Sequence, residues 1–255
     1  MLMDLLRGLL NLTKKIDTKI LPSQGLFYRD DFEISIKRAD IEDIIEYEHN
    51  YIKDNVGVVI SKLKHLVEKN IKISKGYTFN DIKSIDIIFL FFEIVKFTKG
   101  ESIKLQYFDD EKGINDIIEF NPKHFNYFII NNELMKHYDN KNKEFIVNGY
   151  RYSLPSIGLE NCLTKFLISK SNKPDSAKFN NYSYNFTFFS GDKNKLTFNQ
   201  IENLIQIFNF DMEPEEKKKV RDIVKMFQPI QTYSLKKDGR VIDINSKIDL
   251  EKIWK

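Results

Sequence analysis

The stretch "NDIKSIDIIFLFFEIVKF", Asn80 to Phe97, constrains the chain more than any other. Ile82, Ile85, Ile88, Phe89, Phe92 and Val95 fall on one helical stripe, and Ile87, Leu90, Phe91 and Ile94 widen it almost all the way round. A helix that is apolar on most sides has to be wrapped by the rest of the domain. The spacing therefore predicts a central core helix over residues 80–97, capped by Asn80 or Asp81 and stopped at Gly100. A chain of 255 residues with 42% hydrophobic and 13% aromatic residues has the material to wrap it.

Around this element the pattern changes period repeatedly. "FEISIKR" (Phe32 to Arg38) and "SIKLQYF…DIIEF" (Ser102 to Phe120) alternate as half-buried strands do. In "EFIVNGYRYSL", Asn148-Gly149 is the preferred pair for a two-residue hairpin turn. Helical spacing returns over residues 40–70, 122–140 and 159–170, at "TFNQ", where Thr197 and Gln200 form a capping box, and after Pro214. A last hairpin is expected at Asp238-Gly239. The fold class is α+β, helix-rich, with a central apolar helix and several short antiparallel hairpins. "SNKPDSAKFNN" (171–181) reads as a linker between a first domain, 1–170, and a smaller one, 182–255. Residues 1–18, with Leu2, Leu5, Leu6, Leu9, Leu10 and Leu12, read as an amphipathic helix that docks on the domain or on a partner. Asp4 and Arg7 break the run, so a signal peptide is not expected, and no stretch has the apolar length of a membrane span.

Chemistry is scarce. The net charge is +3, with 40 basic residues set against 37 acidic ones and no basic run, which speaks against nucleic acid as a partner. One cysteine, Cys162, allows no internal disulfide and reads as a structural thiol. Phosphate-binding glycine motifs and zinc spacings are missing, and His49, His65, His124 and His137 are scattered, so no cofactor or metal is expected. Two alternatives stay open: an enzyme using His124, Asp109 and Asp110, and a nucleic-acid-binding accessory protein using the 182–188 aromatics with Lys193 and Lys195.

One repeat stands out. "LPSQGLFY" (Leu21 to Tyr28) and "LPSIGLEN" (Leu154 to Asn161) share the frame L-P-S-x-G-L. Pro22 holds Leu21 extended, and Gly25 permits a turn. Leu26, Phe27 and Tyr28 are three large side chains in a row, so at least one is expected to face outward as an interface anchor.

The order of these elements resembles a family of tail proteins of T-even-type contractile-tailed phages, the baseplate hub subunits and hub-assembly chaperones. They are similar in an L-P-S-x-G-x-x-Y arm and in an acidic residue before a very apolar helix, followed by a glycine and a strand, as in "DIKSIDIIFLFFEIVKFTKGESIKLQY". The element in "YRYSLPSIGLENCL" is similar as well, so the resemblance covers residues 20–170. Where some members carry a C-x-x-C pair this chain has "YFDD" (Tyr107 to Asp110), so no metal knuckle is implied. The resemblance implies assembly by protein–protein binding to hub or tape-measure proteins, in the host cytoplasm or in the tail baseplate, and no catalysis. The residues it puts forward for partner binding are Leu21, Pro22, Ser23, Gly25, Leu26, Phe27 and Tyr28 of the first frame, with Leu154, Pro155, Ser156 and Gly158 of the second.

Overall fold

In the computed structural model, the apolar run is split before it becomes a helix. Residues 79–81 and 84–86 form two short 3-10 turns, Ile82 and Lys83 between them are extended, and the α-helix begins only at Ile87. The structure describes residues 12–49, 56–119, 132–170, 196–227, 234–237, 240–243 and 253–254.

Among these residues the elements run β1 (Thr13–Ile16), β2 (Ile34–Lys37), α1 (Ile41–His49), α2 (Val56–Lys69), β3 (Ile71–Ile73), α3 (Ile87–Lys99), β4 (Lys104–Asp109) and β5 (Ile114–Glu119). Next come α4 (Asn132–Met135), β6 (Tyr138–Asp139), β7 (Glu144–Val147), β8 (Tyr150–Tyr152), α5 (Ile157–Lys170), α6 (Phe198–Gln206), α7 (Pro214–Met226), β9 (Ser234–Lys237) and β10 (Arg240–Asp243). The fold is α+β: seven α-helices among the described residues, with antiparallel sheets in the orders β1-β2-β3, β4-β5, β6-β7-β8 and β9-β10.

Every residue of α3 from Ile87 to Val95 is buried. The helix packs on β2, where Ile34 and Ile36 point inward, and on α2, where Leu63, Leu66 and Val67 do. It ends as expected: Gly100 takes the left-handed conformation at φ 72° and its N–H donates to the Lys96 carbonyl at 3.0 Å. A second apolar cluster joins Phe27, Phe145, Tyr152 and Leu154 to Phe208 and Phe227, and a third joins Leu159, Leu163 and Phe166 to Ile201. Trp254 meets Phe91 edge-on, with ring centroids 6.4 Å apart. Side chains from both sides of residues 171–181 thus share apolar clusters, while the expected linker itself lies outside the described residues.

Local signals are realised where they were strong. Asn148 and Gly149 both have positive φ, 52° and 79°, and close β7 onto β8 with Val147 opposite Tyr150. Thr197 and Gln200 form the capping box of α6, and Pro214 opens α7. Three expectations are corrected. The helix over residues 1–18 does not extend through Thr13–Ile16, which is strand β1, antiparallel to β2; residues 1–11 lie outside the described residues. Pairing with β2, and the reach of Lys14 to the buried Glu93 at 2.7 Å, outweigh the helical spacing there. The helix over residues 80–97 starts seven residues late, because Ile82 to Ser84 give their main-chain groups to a distant segment. The helix expected over 122–140 is corrected as well: of its described residues only Asn132–Met135 are helical, as α4, while Tyr138–Asp139 are strand β6 paired with β7; residues 120–131, like the 182–188 aromatics, lie outside the described residues.

Candidate functional site

The two L-P-S-x-G-L frames meet on one short segment, Ile82 to Asp86. Each frame arrives in a different conformation. In the first, a 3-10 turn (Thr18–Ile20) capped by Asp17 leads into Leu21, and Gln24 and Gly25 are both left-handed at φ 56° and 70°. Glycine is needed at 25 for a second reason: a β-carbon there would stand 3.0 Å from the Thr18 hydroxyl. This tight reversal turns Ser23 and Tyr28 toward Asp86. The Ser23 N–H donates to Asp86 Oδ1 at 2.8 Å, the Ser23 hydroxyl to Oδ2 at 2.7 Å, and the Tyr28 hydroxyl to Oδ2 at 2.6 Å. The Tyr28 oxygen in turn accepts from the Lys83 N–H at 2.9 Å.

The second frame grips the same segment through its main chain. The Ser84 N–H donates to the Pro155 carbonyl at 3.0 Å, and the Ile157 N–H to the Ile82 carbonyl at 2.9 Å, with Lys83 opposite Ser156 in an antiparallel bridge. Ser156 then caps α5, its hydroxyl accepting from the Leu159 N–H at 3.2 Å. Gly158 lies inside that helix. Leu154 and Phe27, which follows the first frame, belong to one apolar cluster.

Asp86 is fully buried, and burial pushes its carboxyl up to about 6 against the opposing pull of Tyr28, Ser23 and the Lys83 charge. Burial likewise lowers the Lys83 ammonium to about 8, and its Nζ donates to the Ser153 hydroxyl at 3.3 Å. The Tyr28 hydroxyl is held well above its ordinary value by burial and then by the Asp86 charge. Tyr28 stacks on Phe32 with centroids 4.4 Å apart, Phe27 packs on Phe145 at 5.8 Å, and the Leu26 carbonyl accepts from the Tyr138 hydroxyl at 2.5 Å. The arrangement fixes a chain reversal on a buried carboxylate.

The expected outward anchor is therefore corrected. Leu21, Pro22, Ser23, Phe27 and Tyr28 are buried, and Gly25 and Leu26 are half-buried. Leu154, Pro155, Ser156 and Gly158 are buried too. The physical reason is the acceptor at the bottom of the arm: once Ser23 and Tyr28 bond Asp86, the side chains on either side are drawn into the two apolar clusters. Neither Asp86 nor Lys83 stood out from the sequence as a site residue. The signal that could have found them was an aspartate embedded in the apolar run, where burial forces it to find donors.

Several other polar residues are engaged locally. Asp109 closes the β4–β5 turn, its Oδ1 accepting from the Glu111 and Lys112 N–H groups at 3.1 and 3.3 Å, and Lys112 stands 3.4 Å from its Oδ2. Those bonds outweigh desolvation and lower its pKa. Asp30 pairs with Lys143 at 2.8 Å, and Asp31 accepts from Tyr77. His65 stands 3.4 Å from Glu46 in a shallow cleft between α1 and α2, while His124 lies outside the described residues. Cys162 is half-buried. Among the described residues no group of three or more His, Cys, Asp or Glu side chains could hold a metal ion, and no helix is long and apolar enough to cross a membrane.

Comparison of the chain with protein-family models, with curated proteins and with solved structures gives no match.

Proposed function

We propose that this chain is a phage tail protein of the baseplate-hub kind, a hub component or an assembly chaperone, which acts by binding other proteins and not by catalysis. The observation that carries the reading is the convergence of the two L-P-S-x-G-L frames on Ile82 to Asp86. Two coincidental turns would have no reason to share a partner. A shared partner makes the arm, the segment before the apolar helix and the second frame one architectural unit, and the family resemblance rests on the same stretches.

Because Phe27, Tyr28 and the second frame are buried, partner contacts fall elsewhere. Apolar side chains stand out on the tip after α6, where Phe210 is 79% exposed, and on the β4–β5 hairpin, where Phe108 and Ile117 share the outward face. Tape-measure and hub proteins, whose own apolar surfaces need cover before a tail polymerises, are the partners of matching chemistry. Assembly then takes place in the host cytoplasm, with the baseplate as the destination if the protein stays in the particle.

The test is co-expression of the tagged chain with the hub and tape-measure proteins encoded beside it. A stoichiometric complex that survives purification is expected, and Phe210→Asp or Phe108→Asp should weaken it while leaving the melting temperature unchanged. Absence of any such complex, together with absence of the chain from purified virions by mass spectrometry, would overturn the reading.

A further inference from the structure

The break before α3 has the makings of a longer helix on both sides of it. Upstream, the Asp81 carboxylate accepts from the Thr78 N–H at 2.7 Å, the reach-back half of a capping box, and Phe79–Asp81 already form a 3-10 turn. Downstream, Ser84–Asp86 form a second turn that leads directly into α3. Between them Ile82 and Lys83 are extended, at φ −67°, ψ 136° and φ −71°, ψ 133°. Both φ angles are already close to helical values, so rotation of ψ at these residues separates the break from a continuous helix. No glycine or proline occurs from Thr78 to Lys99, and Ile82, Ile85 and Phe89 keep the spacing of one stripe. Gly76, left-handed at φ 95° with open space where a β-carbon would stand, lies just upstream and can take up the rotation.

What holds the break open is distant in the chain. In a continuous helix the Lys83 N–H would bond the Phe79 carbonyl, the Ser84 N–H the Asn80 carbonyl, and the Asp86 N–H the Ile82 carbonyl. In the structure the Lys83 N–H donates to the Tyr28 hydroxyl, the Ser84 N–H to the Pro155 carbonyl, and the Ile82 carbonyl accepts from the Ile157 N–H. Exchanging one set of hydrogen bonds for the other changes their total little, so the extended form depends on all of these partners being offered together. The first frame is the one placed to leave. Its arm runs at the surface, with Gln24, Gly25 and Leu26 half-buried and Arg29 and Asp30 exposed.

We propose that Ile82–Asp86 is a two-state element: it is extended while both frames hold it, and it winds onto α3 as an added turn when the first frame lets go, which releases the second frame as well. The arm and the start of α5 are then coupled through one segment, although Tyr28 and Ile157 bond different groups of it. The coupling belongs to the chain alone and needs no phage partner, so its outcome is separate from that of the functional reading above.

The experiment uses the purified full chain and Tyr28→Phe, which removes the hydroxyl and keeps a ring to stack on Phe32. Read by NMR, the Ile157 amide is expected to exchange its hydrogen about tenfold faster in the variant, because winding of Ile82 withdraws the acceptor of that amide. The α-carbon shifts of Ile82 and Lys83 should move from extended toward helical values at the same time. An unchanged Ile157 amide, or shifts that stay extended or move to those of an unfolded chain, would overturn the proposal. Should Tyr28→Phe not fold, the native chain decides. At low urea the Ser23 amide, bonded to Asp86, and the Ile157 amide should then open with one free energy and one urea dependence, below those of Phe89 in α3, and separate values for the two would overturn the coupling.

Discussion

The two L-P-S-x-G-L frames have the same letters and opposite mechanics. Leu21 to Leu26 is a left-handed reversal held on a distant side chain, with the Ser23 N–H, the Ser23 hydroxyl and the hydroxyl of the following Tyr28 delivering three hydrogen bonds to one buried carboxylate. Leu154 to Leu159 is the entry to a helix held by main chain, with Pro155 and Ile157 bonding the same segment through carbonyl and amide. The difference lies in the residues after the glycine. "LFY" supplies a tyrosine that reaches Asp86 and so pulls the arm inward, whereas "LENCL" continues the helical stripe of Leu159 and Leu163 into its own cluster. A six-residue frame specifies a place to change direction, and its surroundings decide whether the change is a turn or a helix start.

The sharpest way to break this contrast is to remove the acceptor. Asp86→Ala leaves the Ser23 N–H, the Ser23 hydroxyl and the Tyr28 hydroxyl buried without their partner, and should cost about 3–5 kcal/mol of unfolding free energy. Urea unfolding reads it directly. A loss under about 1 kcal/mol would mean the arm is held by packing alone, and the distinction between the frames would disappear.

The same carboxylate makes the first frame the pH-sensitive one. Asp86 is raised from 3.8 to about 6 by folding, so between these values the folded chain keeps a proton that the unfolded chain has lost. Its contribution to stability is fully present below about pH 4 and is lost as the pH rises through about 6. Relative to Asp86→Asn, which does not titrate, the native chain should lose about 2–3 kcal/mol between pH 4 and pH 7. Lys83 acts on the other side of neutrality: lowered from 10.5 to about 8, its contribution is present above the unfolded value and is lost as the pH falls through about 8. A flat difference between native and Asp86→Asn chains across the acid range would show that Asp86 is not desolvated in the folded state.

What the sequence reveals and what it hides divide along the same line. The Asn148-Gly149 turn, the Thr197 capping box and the stop at Gly100 were legible because each is decided within a few residues. The start of the apolar helix was not. Ile82 to Ser84 are taken out of helical geometry by Tyr28, 55 residues from Lys83 in the chain, and by the still more distant Pro155. Strand β1 was hidden for the same reason: Thr13–Ile16 has leucine-rich helical spacing before it, and only its pairing with β2 and the Lys14–Glu93 ion pair make it a strand. The repeat itself was visible, but its shared target was not, since nothing in a six-residue frame encodes its partner.

The equivalent serines give the finest comparison. Ser23 and Ser156 occupy the same position in the two frames, and each offers a hydroxyl to the fold. Ser23 donates at 2.7 Å to a buried carboxylate, so Ser23→Ala removes a charge-assisted bond and should cost about 1.5–3 kcal/mol. Ser156 accepts at 3.2 Å from the Leu159 N–H at the start of α5, so Ser156→Ala should cost only about 1 kcal/mol, the ordinary value of a helix cap. The two also differ in kind. The loss at Ser23 should shrink as Asp86 is protonated below pH 6, because the acceptor then carries no charge. The loss at Ser156 should not change with pH in that range, because an amide and a hydroxyl do not titrate there. Equal costs with equal pH profiles at both positions would show that the two frames are one device used twice, and that the side-chain and main-chain modes of attachment do not separate them.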